Sequence, residues 1–163
     1  MTRTLIVWLV ILSCVAGVAH AVEVPYLSGR IVDEAHLLST EAKARIGAAL
    51  KAHEDKTTNQ LVVLTLPTLD GDNIEPFGIK VFEKWKPGRK GKDNGAILIV
   101  VPKERKIRIE VGYGLEGTLT DAASSRIIRN VIAPHFRDNN FDKGMEEGVA
   151  AMIKLLEIGR AHV

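Results

Sequence analysis

Five side chains in this sequence carry oxygen donors where the chain should turn or a helix should start: Asp33, Asp93, Asn94, Glu116 and Asp121. Carboxylates, amides and main-chain carbonyls are what a hard cation such as Ca2+ collects, in sets of about six to eight. Glu116 lies within the densest glycine run of the chain, Gly112-Tyr113-Gly114-Leu115-Glu116-Gly117, and Asp121 follows shortly after. Glycines at that density permit positive φ and close approach of main chain, so a loop of this kind can turn carbonyls toward an ion. The same donors have a plainer use, holding backbone N–H groups at turns and helix caps. For any single residue the spacing leaves both uses open. The cluster is what points to a divalent cation, Ca2+ first, although no EF-hand spacing is present.

Other chemistries find less support. Beyond residue 21 the histidines are His36, His53, His135 and His162, none at a ligand spacing, which argues against zinc. Ser124-Ser125 falls within an expected helix and lacks a nucleophile elbow, so serine hydrolysis is not indicated, and no catalytic residue is assigned. A cation held by Asp93, Glu116 and Asp121 could activate water, which keeps a weak metal-assisted phosphatase as an alternative. Lys86 to Gly95 is polar and basic but has no P-loop spacing, and reads as a solvated loop. Of the 163 residues, 22 are basic and 20 acidic, with no block of like charge, so nucleic-acid binding is not expected.

The elements that must position these residues are legible from periodicity. Gln60 to Leu66 and Ala96 to Val101 are apolar runs of strand length, as expected of strands covered on both faces. In Lys106 to Val111 apolar and charged residues alternate, a strand with one buried face. The short Pro102-Lys103-Glu104-Arg105 turn makes these last two an antiparallel hairpin. Asp93-Asn94 enters one strand and Gly112 to Gly117 leaves the other, so pairing alone brings Asp93, Asn94, Glu116 and Asp121 toward one rim. Helices are expected over about 40–56 (Ala42, Ile46, Ala49, Leu50 and His53 forming the stripe), 74–84, 122–131 and 142–156. Thr120 or Asp121 should cap the third, and Pro134 should end it, leaving His135 to Asn140 as a loop. Phe77, Val81 and Trp85 read as core. The order α-β-α-β-β-α-α predicts a single-domain α/β fold, a three-layer α/β/α sandwich on a mixed sheet.

Both termini read differently from the body. Residues 1–21 have a short basic start, an apolar run from Leu5 to Val18, and Ala19-His20-Ala21 as a cleavage pattern, which predicts a signal peptide and a mature start at Val22. The run is shorter than the ~20 residues a membrane span needs. Cys14, the one cysteine, falls inside it, so the mature chain has no thiol chemistry. Residues 22–30 form an extended lead-in. Residues 157–163, Glu-Ile-Gly-Arg-Ala-His-Val, match what a common sequencing-adapter oligonucleotide encodes. The expectation is that they are a non-native tail and that the native chain continues beyond Leu156.

Lys92-Asp93-Asn94-Gly95 before a buried strand, then Ile109 to Gly117 and Leu119-Thr120-Asp121, closely resemble the TPM domain. Val32-Asp33 to Leu38-Ser39, Trp85 before the polar loop and Ile132-Ala133-Pro134-His135-Phe136 fit as well, so the resemblance spans residues 31–156. It implies an extracytoplasmic α/β/α module of the bacterial envelope or thylakoid lumen, periplasmic or membrane-anchored. It further implies a divalent cation, acid phosphatase activity in some members, and a role in envelope or membrane protein assembly and maintenance. Bacterial members often continue into a membrane helix, so membrane association would come through a C-terminal region not present here, with an envelope or membrane protein as partner. A structural interaction domain without an ion is the third reading.

Overall fold

The computed structural model describes residues 22–160; the expected signal segment with Cys14, and the end of the expected tail at 161–163, lie outside the described residues. Four strands form one sheet in chain order: β1 (Ile31–Asp33), β2 (Gln60–Thr65), β3 (Gly95–Val101) and β4 (Lys106–Val111). β1, β2 and β3 are parallel, while β3 and β4 are the antiparallel hairpin, with Ala96 opposite Val111 and Val101 opposite Lys106. β1 is a strand that periodicity did not announce, because three residues are too few to show a period.

Side-chain alternation sorts the sheet into two cores. Leu61 and Val63 of β2, with Ala96, Leu98 and Val100 of β3, pack under α1 (Thr40–Thr57) and α5 (Phe141–Arg160). Val62, Leu64, Ile97, Ile99 and Val101 face α2 (Ile74–Trp85) and the lead-in. The three-layer sandwich is therefore what the apolar runs require, since each face of β2 and β3 is covered. On α1 the buried stripe is Ala42, Ile46, Leu50, His53 and Thr57; Ala49 faces out, contrary to expectation. Trp85 donates from Nε1 to the Pro25 carbonyl at 2.9 Å and ties the lead-in to α2. Arg108 and Glu110 of β4 are half-buried and paired under Gly78 of α2, where a Cβ would meet Glu110 Oε1 at 2.6 Å.

Pro134 does not end a helix. α3 (Asp121–Ile127) continues through a π-helical turn (Ile128–Ile132) into α4 (Ala133–Arg137). The Ala133 N–H donates to the Ile128 carbonyl, five residues back. Proline has no N–H for the normal ladder, and widening the helix by one residue lets the chain pass it without breaking. His135 to Arg137 is accordingly helical, not loop. α4 and the π turn sit close on α5 because Gly144 and Gly148 carry no Cβ; one there would lie 2.7 Å from the Phe136 ring and 2.6 Å from Ile132.

Candidate functional site

The hairpin brings the Asp93 loop and the glycine loop to one end of the sheet. The Gly112 N–H donates to the Gly95 carbonyl at 2.7 Å, and the Gly114 N–H to the Asp93 carbonyl at 3.1 Å. A Cβ on Gly112 would lie 2.2 Å from the Asp93 oxygen, and one on Gly114 2.0 Å from the Lys92 oxygen. Positive φ is found at Gly71, Gly88 and Gly91, not in this run, so these glycines serve close approach of main chain alone.

Asp33 lies at the opposite end of the sheet, since β1 runs parallel to β3 and Asp33 closes it. Its carboxylate is 4% exposed and sits 2.8 Å from Lys43 Nζ. It also accepts from the Leu37 N–H at 2.9 Å, the Leu38 N–H at 3.2 Å and the Thr65 hydroxyl. Burial pushes its pKa up, but the bonds from Lys43, Thr65, Leu37 and Leu38 together outweigh it and hold the carboxyl below its ordinary value. Asn94 is committed in the same sense. Its Oδ1 accepts from the Arg89 N–H at 2.8 Å. Its Nδ2 reaches the Thr58 carbonyl at 2.9 Å, the Thr58 hydroxyl at 3.2 Å and Asn59 Oδ1 at 3.2 Å. Both residues hold the fold with the donors they would need to give an ion.

Asp93, Glu116 and Asp121 are exposed, and among the described residues their carboxylates have no hydrogen bond or ion pair. The cap of α3 is Thr120, whose hydroxyl accepts from the Ala123 N–H at 3.2 Å, so Asp121 is not used up in capping. The three do not converge. Asp93 faces the cavity under Lys86 to Gly91. Glu116 and Asp121 share a separate cleft of about 330 Å3 between β4 and α3, lined also by Ser124 and Ser125. Among the described residues no three of His, Cys, Asp or Glu are grouped as a metal set.

Ser124, set aside above as a nucleophile, was not counted among the oxygen donors. It is 5% exposed, and its hydroxyl has no hydrogen-bond partner among the described residues. A buried hydroxyl without a partner is costly and calls for an explanation, such as an ion or water in the cleft it lines. The signal was its spacing: on a helix, positions 121 and 124 share a face. The free edge of β4 forms the remaining wall. Because Gly112 pairs with Gly95, alternation along the ladder turns the N–H and C=O groups of Ile107, Ile109 and Val111 away from β3.

Known proteins resemble this chain at two levels. The family model for the TPM domain matches residues 31–155. The N-terminal domain of a P. gingivalis protein, solved by NMR, is 36% identical, with a TM-score of 0.77 over 83% of this chain and 90% of that one. Two further NMR structures share the fold. One is from the psychrophilic Bizionia argentinensis (21% identity, TM-score 0.65, 74% of this chain and 82% of that one). The other is an N-terminal domain from Corynebacterium glutamicum (18%, 0.62, 82% and 84%). Among curated proteins none matches. The sandwich, the glycine run docked on the Asp93 loop and the matching family model lead to one assignment: the chain belongs to the TPM domain family.

Proposed function

We propose that this TPM domain is an extracytoplasmic module that binds a divalent cation, Ca2+, in the cleft between β4 and α3. The observation that carries the reading is the meeting of two uncommitted carboxylates, Glu116 and Asp121, with the buried, unpartnered hydroxyl of Ser124. An all-oxygen donor set of this kind suits a hard cation. The free carbonyls of the β4 edge can complete it, with water. Of the five expected donors this reading keeps Glu116 and Asp121 and adds Ser124, while Asp33 and Asn94 act in the fold and Asp93 lies apart. The apolar segment before Val22 supports export, and the family supports a role in envelope or membrane protein assembly or maintenance. No helix among the described residues is long and apolar enough to cross a membrane. The phosphatase alternative gains nothing from Ser124, because no neighbouring base holds its hydroxyl among the described residues.

The experiment is thermal unfolding in EDTA and then in Ca2+, Mg2+ or Mn2+. A cation present at ~100 times its dissociation constant adds about 2.7 kcal/mol, easily read as a melting shift. The shift should vanish in Glu116→Gln and Asp121→Asn. No shift with any cation removes the metal reading in favour of an interaction domain.

A further inference from the structure

A second, more enclosed cavity of about 440 Å3 opens at the other end of β4, beside the carboxyl end of β3. That volume is within the range of ligand pockets, and that end of an open α/β sheet is where ligands commonly sit. Much of its wall is apolar. Val101 and Ile107 come from the hairpin, and Phe136 and Phe141, in edge-to-face contact with centroids 5.0 Å apart, line it together. Its lining includes three cations: Arg105, Lys106 and Arg137. None of them has an ion pair or side-chain hydrogen bond among the described residues. Beside it runs the free β4 edge, where the main-chain N–H and C=O groups of Ile107 and Ile109 have no partner among the described residues.

An apolar pocket, three uncommitted positive charges and an open strand edge, meeting at Ile107, make complementary demands. The pocket takes an apolar side chain, the cations take an anion, and the edge takes a peptide main chain. We propose that this end of β4 binds the free carboxyl terminus of an extended peptide whose last residue is apolar. The peptide adds to the sheet as a fifth strand, antiparallel to β4, with its carboxylate between Arg105, Lys106 and Arg137. A fatty acid would satisfy the pocket and the charges but would leave the main-chain groups of Ile107 and Ile109 unpaired, so the edge decides for a peptide. β4 is the last strand of the sheet, so its outer edge has no neighbouring strand among the described residues. The pocket lies at the Lys106 end of β4 and the two carboxylates toward the Val111 end, but Ile107 lines both cavities, so a bound strand and a bound cation would compete for the β4 edge, and the peptide is tested without the ion.

The test is fluorescence anisotropy in EDTA with an amino-terminally labelled Thr-Val-Thr-Val-Leu peptide, as free acid and as carboxyl-terminal amide. The free acid should bind and the amide should bind about tenfold more weakly, as should the free acid to Arg105→Glu or Arg137→Glu. Both arginines are exposed, so these variants should keep the melting temperature of the parent. In NMR spectra the Ile107 and Ile109 amides should shift and gain protection from exchange. Equal affinity for acid and amide would overturn the proposal, as would binding of decanoate but not peptide, or no peptide binding at millimolar concentration.

Discussion

The main-chain N–H of Gly114 donates to the carbonyl of Asp93 at 3.1 Å, and this bond fixes the glycine loop on the loop that feeds β3. The contact is backbone on backbone, so no side chain can yield. Gly112→Ala and Gly114→Ala should each cost about 3 kcal/mol or more, as overpacking against an unyielding neighbour does. Gly117 is the control: nothing lies within 4 Å of a Cβ there, and its φ is not positive. Gly117→Ala should be neutral or stabilising by up to about 1 kcal/mol. Urea unfolding of the three variants checks the ranking.

Adjacent residues of the same loop should behave oppositely. Asn94→Ala strands the Arg89 N–H and the Thr58 and Asn59 acceptors and should cost about 3 kcal/mol. It also releases Thr58, a β-branched residue held at φ 69. Asp93→Asn removes an exposed carboxylate without a partner and should stay within about 0.5 kcal/mol. Urea denaturation separates a fold-holding amide from an idle carboxylate.

Asp33 sets part of the acid limb. Its folded pKa is depressed below an unfolded value of about 3.9, so its contribution is fully present above that pH and is lost as pH falls through the lower folded value. Asp33→Asn should cost about 2 kcal/mol at neutral pH and flatten the loss of stability below about pH 4. Melting temperatures of both proteins across pH 2 to 7 (roughly the span over which carboxylates titrate) test the sign.

The fold was legible where periodicity is long enough to read. β2, β3 and β4, with α1 and α2, fall within a residue or two of where apolar spacing places them. β1 escaped because it borrows its pairing from β2. The stretch around Pro134 escaped because a π turn leaves no mark in composition. The site was harder. Asp33, Asn94 and Asp121 look alike in sequence, and what divides them is the partner: Lys43 and Thr65 for the first, Thr58 and Arg89 for the second, and no partner among the described residues for the third. Those partners arrive through tertiary packing, as does the burial that strands the Ser124 hydroxyl.

The measurement that tests the central claim most directly is a Ca2+ titration followed by amide NMR, with residue-level resolution. The account predicts that the largest shifts fall between Glu116 and Ser125 and on the β4 edge at Ile109 and Val111, saturate with one ion, and disappear in Asp121→Asn. Shifts centred on Arg89 to Asp93 or on Asp33, or spectra that do not respond to the ion at all, would contradict it.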